Sequence, residues 1–164
     1  MKNYVLVAVA FSLAATLSAC KDKDGANPFA AYTTEVVWNA PGGIIVHEDQ
    51  FFAQGVDCAQ GSFLSVQAKL HGGPAIDLYV LDEHQYNRYT AGTKGQRVGD
   101  GTFTCVYKLS CPGLSQGFSS GWVGVPPGRY YVVIDNTDLG HTEPPFDGID
   151  SLSAITILVE KKYP

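Results

Sequence analysis

The sequence predicts an all-β fold: an antiparallel β-sandwich of the jelly-roll type that carries one short surface helix. Two observations support this prediction. Glycine, proline and tyrosine are abundant, with 18, 9 and 9 residues, whereas charged residues make up only 16% of the chain; this composition favours strands joined by tight turns. In addition, short runs of alternating apolar and polar residues recur along the chain, and turn residues separate them, as is typical of sandwiches.

The predicted strands are recognised by alternation or by a high content of β-branched and aromatic residues. The clearest alternation lies in residues 63–70, where apolar and polar side chains occupy opposite faces. The turn Pro126-Pro127-Gly128 introduces a later strand, because proline presets φ and glycine adopts positive φ. In chain order, the predicted strands cover residues 33–38, 44–46, 63–70, 76–81, 102–109, 130–134 and 153–159.

One helix is predicted, over residues 83–90. Asp82 precedes it and can cap its first turn. Glu83 suits the positive N-terminal end of a helix, and Gly92 offers a stop. We expect this helix to lie on the surface of the sandwich.

The N-terminal residues predict export. Lys2 precedes a mostly apolar run, and small residues follow it before a cysteine, which is the arrangement of an export signal. The run is too short to span a membrane, since a spanning helix needs roughly 20 apolar residues. The segment Leu17-Ser18-Ala19-Cys20 resembles the lipobox of bacterial lipoproteins. This resemblance implies that Cys20 becomes the acylated N-terminus of the mature protein; a plain secretory signal with an incidental cysteine is the alternative.

The lipoprotein resemblance divides the chain into three parts: a signal peptide over residues 1–19, a lipidated tether over 20–31 and a β-sandwich domain over 32–164. It places the protein in the cell envelope, where the N-terminal lipid is its contact with the membrane. Lys21, not an aspartate, follows Cys20. By resemblance to lipoprotein sorting, this residue implies the outer membrane if the host is Gram-negative.

Three further cysteines, Cys58, Cys105 and Cys111, remain in the mature chain. An exported protein functions in an oxidising compartment, where disulfides persist. Cys105 and Cys111 enclose a short loop, so the sequence favours a disulfide between them over the two pairings that involve Cys58, although sequence does not fix connectivity. Three buried and reduced thiols are the alternative.

Two motifs resemble a family of β-sandwich modules. The segment Asp77-Leu78-Tyr79-Val80-Leu81 resembles a "D-x-Y-V-L" strand that runs into a short helix, and residues 127–136 resemble a "P-G-x-Y-Y-x-V-x-D-N" strand. Together they resemble pre-peptidase C-terminal (PPC) domains and GOLD-like domains of exported proteins, over roughly residues 51–160. The resemblance implies a sandwich that accompanies enzymes or surface proteins and is generally not catalytic itself.

The run Gly117-Phe118-Ser119-Ser120-Gly121 matches the G-x-S-x-G pattern of serine hydrolases. That chemistry needs the serine on a tight turn between a strand and a helix. The glycine- and proline-rich residues that follow disfavour such a helix. We therefore expect no enzymatic activity and keep a serine hydrolase as a remote alternative.

A group of carboxylates lies in and after one predicted turn: Asp135, Asp138, Glu143, Asp147 and Asp150. Oxygen-rich loops of this kind can bind calcium. A calcium site is therefore a hypothesis, a solvated polar loop is its alternative, and no other cofactor is expected. Asp77 alternates with apolar residues in its strand, so we expect its carboxylate to point to solvent.

The charge of the chain narrows the range of partners. The formal net charge is −5 and no block of like charges occurs, which argues against nucleic acid as a partner. Phe118 and Trp122 lie in a glycine-rich segment and are candidate ligand contacts. We expect a non-catalytic binding module whose ligand is an envelope protein, a glycan or a calcium-bridged surface; a structural lipoprotein that assembles with other envelope proteins is the alternative.

Overall fold

The computed structural model describes residues 32–91, 105–137, 140–141 and 151–164. Within these residues the chain forms strands, one α-helix and one 3-10 turn over Tyr107–Leu109. The strands and the helix, in chain order, are β1 (Thr33–Val46), β2 (Gln50–Cys58), β3 (Phe63–Gly72), β4 (Ile76–Asp82), α1 (Glu83–Ala91), β5 (Cys111–Leu114), β6 (Gly117–Ser119), β7 (Val123–Gly124), β8 (Gly128–Asn136) and β9 (Ser153–Tyr163).

The strands form two antiparallel sheets. The first sheet has the strand order β1-β9-β3-β6, and the short β7 also pairs with β3; the second sheet has the order β2-β8-β4-β5. With β7 set aside, this is the strand order of a jelly roll. The predicted fold class, an all-β sandwich with one short helix, is therefore confirmed.

The main core lies between the two sheets. Because side chains alternate along a strand, β9 directs Ile155, Ile157 and Val159 inward, and β8 contributes Val132 and Ile134 from the opposite side. All five side chains are buried. The residues of β9 that the alternating sequence pattern predicts to share one face are therefore the residues that lie in the core.

The outer face of the second sheet carries a smaller apolar cluster beneath α1. Tyr79 and Leu81 of β4 and Val133 of β8 pack there with Tyr89 of the helix, and all four side chains are buried. Phe51 of β2 meets the Tyr89 ring edge to face, with 5.2 Å between the ring centroids. β4 and β8 are consequently buried on both faces, unlike a strand with one solvated side.

The predicted helix is present and extends one residue beyond its predicted end. The backbone N–H of Gln85 donates a hydrogen bond of 2.8 Å to the Asp82 carboxylate, so Asp82 caps the helix as predicted. Tyr86 stacks on Tyr131 of β8 with 3.8 Å between ring centroids. This stacking fixes the helix against the second sheet. Gly92 lies outside the described residues.

Most predicted strands are confirmed, with one change of connectivity. Residues 44–46 do not form a separate strand but continue β1. The register between β1 and β9 shifts between Ala40 and Ile44, and Gly43 has a φ of 84°. The adjacent glycines therefore make a bulge in one long strand instead of a turn between two strands.

The strand predicted over residues 102–109 is wrong for the part that the structure describes. The chain instead makes the 3-10 turn, which buries Leu109 in the main core. The Ser110 hydroxyl accepts a hydrogen bond of 2.9 Å from the Val80 backbone N–H. The Val80 carbonyl accepts a hydrogen bond of 2.8 Å from the Val106 backbone N–H, so one side chain and one backbone group together satisfy this edge residue of β4.

The predicted signal peptide and tether, residues 1–31 and with them Cys20, lie outside the described residues. Within the described part of the chain, no helix is long and apolar enough to cross a membrane.

The predicted disulfide between Cys105 and Cys111 is not supported. All three cysteines of the domain are free thiols in the structure. Cys105 packs against the cluster beneath α1, whereas Cys111 packs against the main core. The two side chains therefore pack in different apolar clusters, an arrangement that sequence spacing alone did not indicate.

We expect peptide mapping under non-reducing conditions to recover Cys58, Cys105 and Cys111 as separate, alkylated thiols. In the native protein, Cys58 should react about tenfold or more slowly than Cys105, because its side chain is buried and burial raises the pKa of its thiol. Cys105 is only half-buried. A linked peptide that contains Cys105 and Cys111, or equal rates at Cys58 and Cys105, would contradict this expectation.

Candidate functional site

The outer face of the first sheet forms an open groove. Opposed residues of an antiparallel sheet share a face, so Gln67 of β3 lies beside Leu158 of β9 and Ser119 of β6, and Lys69 lies beside Thr156. The groove has a volume of about 880 Å³. Its lining also includes Asn39, Pro41, Ala68, Leu70, Ser115, Gln116, Gly117, Phe118 and Ile157.

The groove presents hydrogen-bonding side chains on the face of paired strands. The side chains of Asn39, Gln67 and Lys69 are exposed on neighbouring strands, and amides donate and accept hydrogen bonds simultaneously. Leu158 supplies apolar surface between them. A mixture of a few polar groups and apolar surface on fixed strands is the composition of a ligand site. Sequence reasoning missed these three polar residues because an exposed polar position on a strand has no distinctive pattern.

Phe118 and Trp122, the candidate ligand contacts, lie in different environments. Phe118 lines the groove but is half-buried and packs against the main core. Trp122 does not line the groove; its side chain is 43% exposed, and the Lys162 ammonium lies 5.3 Å from its ring centroid. The structure therefore does not bring the two aromatic rings into one contact surface.

A second aromatic residue flanks the same lysine. The Lys162 ammonium also lies 5.6 Å from the ring centroid of Tyr32, and Tyr32 meets Phe63 edge to face at 5.7 Å. Phe63 and Lys162 are opposed residues on β3 and β9. We name Tyr32, Phe63, Trp122 and Lys162 the aromatic end of the first sheet; the groove occupies the other half of the same face.

The serine motif lacks the geometry of a nucleophile elbow. Ser119 ends strand β6, and the chain continues through a loop into β7 and not into a helix. The neighbouring Ser120 hydroxyl accepts a hydrogen bond of 2.9 Å from the Val66 N–H and donates one of 2.7 Å to the Gly121 carbonyl. Ser120 thus holds the loop after β6 against β3, so this serine of the glycine- and serine-rich run has a structural role.

A buried pair of carboxylates lies on the outer face of the second sheet. Asp77 of β4 and Asp135 of β8 are directly opposed in the antiparallel register, and they are 0% and 1% exposed. The expectation that Asp77 is solvated is wrong, because its outward face is covered. A β-carbon on Gly140 would lie within 2.5 Å of an Oδ2 atom of each carboxylate, so the backbone of Gly140 closes directly over the pair.

Backbone and hydroxyl groups surround the two carboxylates. The Gly113 N–H donates to Asp77 Oδ1 at 2.6 Å, and the Thr137 N–H donates to Asp135 Oδ1 at 3.0 Å. Burial and then the nearby Asp77 raise the pKa of Tyr79, so this hydroxyl stays protonated and faces Asp77 as a donor. The His141 N–H in turn donates to the Tyr79 hydroxyl at 2.7 Å. The network ties residues 140–141 to β4.

Burial, aided by the nearby charge of Asp77, raises the pKa of Asp135 to about 7, even though hydrogen bonds from Thr137 and Tyr89 oppose this rise. Two opposed, desolvated carboxylates cannot both ionise without a large cost. Asp135 therefore holds a proton through most of the acidic range. Both carboxylates are buried from solvent in the described structure.

The calcium hypothesis rests mainly on residues outside the described part. Asp138, Glu143, Asp147 and Asp150 are not described. Asp135 belongs to the buried pair, and within the described residues no three histidine, cysteine or acidic side chains are placed to hold a metal ion. Calcium binding by these five residues stays a prediction.

A scan against models of known protein families gives no match for this chain, and a comparison with curated proteins gives none either. The two motifs that resemble PPC and GOLD-like domains lie on β4 and β8, which pair side by side. Membership of that family stays a prediction drawn from these motifs.

Proposed function

We propose that this protein is a lipid-anchored component of the cell envelope that binds an extended glycan in the groove of the first sheet, without catalysis. The observation that carries the proposal is the groove itself, which has a volume of about 880 Å³ and is open along the sheet. This volume lies in the range of ligand sites, roughly 300–1,000 Å³. An open groove on a sheet face accommodates part of an extended chain better than a compact molecule that needs an enclosed cavity.

The chemistry of the groove fits sugar rings. A sugar presents hydroxyl groups at its edge and C–H groups on its faces. Asn39, Gln67 and Lys69 supply donors and acceptors to the hydroxyl groups, while Leu158 supplies surface for the C–H groups. These residues stand on paired strands β1, β3 and β9, so little ordering of the site is needed on binding.

The envelope location rests on the Leu17-Ser18-Ala19-Cys20 segment and its resemblance to a lipobox. Acylation of Cys20 would hold the domain at a membrane surface, where envelope polysaccharides are abundant. Two or more acyl chains give firm anchoring, whereas a single chain binds reversibly. An outer-membrane location follows in a Gram-negative host.

We expect an array of envelope oligosaccharides, including peptidoglycan fragments and lipopolysaccharide cores, to contain a ligand that Gln67→Ala and Asn39→Ala each weaken about tenfold. Each variant removes one amide that would otherwise satisfy buried sugar hydroxyl groups, a loss of about 1.4 kcal/mol or more. Asn87→Ala, on the exposed surface of α1, is the matched control and should bind like the parent. Equal binding by the groove variants, or no bound oligosaccharide, would contradict the proposal.

Assembly with other envelope proteins is the second candidate function, and it rests on β1. This strand has 14 residues and lies at the edge of the first sheet. Val36 and Ile45 are 42% and 58% exposed on it. A long edge strand with exposed apolar side chains is a template for strand pairing with another chain. Pro41 within this strand limits such pairing to its two halves.

A further inference from the structure

The aromatic end of the first sheet has the composition of a membrane-interface surface. Trp122 and Tyr32 are 43% and 46% exposed, although both are large aromatic residues. Their rings flank the Lys162 ammonium at 5.3 and 5.6 Å. Tryptophan and tyrosine are enriched at the level of lipid headgroups, because each combines an apolar ring with a polar atom. Lysine adds an ammonium that can meet headgroup phosphates while its stem stays on apolar surface.

The position of this surface in the chain matches the proposed anchor. Tyr32 is the first described residue, and residues 21–31 alone separate it from Cys20. Eleven residues span at most roughly 40 Å when fully extended. Because the tether enters the domain at Tyr32, it holds the aromatic end near the bilayer at a high effective concentration. The groove lies toward the opposite end of the same face.

The charges at this end are also compatible with a lipid surface. Lys161 pairs with Glu35 at 3.0 Å, and Arg129 pairs with Asp57 at 3.6 Å. These pairs offset two acidic side chains of this end of the sandwich. Lys162 contacts aromatic rings, and the ion pairs found among the described residues do not include it.

We infer that the aromatic end of the first sheet, formed by Tyr32, Phe63, Trp122 and Lys162, docks on the phospholipid headgroups of the membrane that carries the lipid anchor. This inference rests on the proposed anchoring and adds a second, protein-mediated contact to it. Docking orients the sandwich with its tether end toward the bilayer. It leaves the groove at the other end of the face accessible to envelope polysaccharides.

The test uses the full acylated chain in vesicles of phosphatidylethanolamine and phosphatidylglycerol with brominated acyl chains. The chain has two tryptophans, so Trp38→Phe leaves only Trp122 as the fluorophore, and Trp122→Phe leaves only Trp38, which packs against the main core. We expect brominated lipids to quench Trp122 by about twofold or more and to shift its emission to the blue, and to leave Trp38 unquenched. Lys162→Glu, made in the Trp38→Phe background, should weaken the quenching.

Flotation of the same vesicles separates the two hypotheses. Protein that floats with the vesicles but shows no quenching of Trp122 retains its anchor and overturns the docking inference alone. Protein that does not float overturns the anchor, and with it the docking inference. Glycan binding is measured independently on the groove variants, so its failure leaves the quenching result intact.

Discussion

Asp135→Asn is expected to raise the free energy of unfolding by about 2–4 kcal/mol at pH 8. The parent must keep an ionised carboxylate that is 1% exposed and directly opposed to Asp77. Asparagine has nearly the same shape, is neutral, and can still accept the hydrogen bond that the Thr137 N–H donates. Denaturant unfolding at fixed pH measures the difference.

The pH dependence of the free energy of unfolding follows from the direction in which the pKa of Asp135 shifts on folding. Burial raises the pKa of Asp135 from 3.8 to about 7, so between these values the folded state binds more protons than the unfolded state. The stability of the parent therefore falls as pH rises through this window, by about 4 kcal/mol in total from this residue, and levels off above it. In Asp135→Asn this contribution is absent, so the two proteins should differ most above pH 7 and converge near pH 4.

Asp57→Asn is the matched control for this prediction. Its side chain is 77% exposed and pairs with Arg129 at the surface, so its removal should change the stability by less than about 0.5 kcal/mol. An Asp135→Asn variant that is less stable than the parent at pH 8 would contradict the account. A stability difference that does not change between pH 4 and pH 8 would contradict it as well.

The strands that could be predicted are those in which one face alone is buried or in which turn residues mark both ends. β9 shows strict alternation because its inner residues Ile155, Ile157 and Val159 fill the core while its outer residues line the groove. β2 was not predicted, since its sequence does not alternate and Gly55 interrupts it. β5, β6 and β7 have two to four residues each, too few for any period to be visible.

The buried carboxylates were present in the sequence but were interpreted incorrectly. Asp77, Tyr79 and Leu81 share one face of β4, and the other face is also apolar. A strand that is apolar on both faces is covered on both faces, and this pattern was the available signal that Asp77 is buried. That Asp135 lies opposite Asp77 depends on the pairing register, which local sequence does not determine. The groove likewise exists only once β1, β3, β6 and β9 are side by side.

Gly73→Ala is expected to lower the free energy of unfolding by about 3 kcal/mol or more, whereas Gly72→Ala should change it by less than about 1 kcal/mol. The two glycines are adjacent at the end of β3, but their surroundings differ. Gly73 has a φ of 93°, and an added β-carbon would collide with the backbone of Leu152 and Ser153. At Gly72 the same atom would have nothing within 4 Å.

Gly73→Ala is expected to destabilise the fold because neither the turn at Gly73 nor the start of β9 can move away from the added β-carbon. The turn after β3 is held against the start of β9 by the Ser153 hydroxyl, which donates a hydrogen bond of 2.9 Å to the Pro74 carbonyl. Ser153 is fully buried and pairs with Val46 at the end of β1. A shift of the turn would therefore disturb β1, β9 and the start of β4 together, including the strand that carries Asp77. Thermal unfolding of the two variants compares them directly: similar melting temperatures for Gly73→Ala and Gly72→Ala would show that this close approach of turn and strand does not exist in solution.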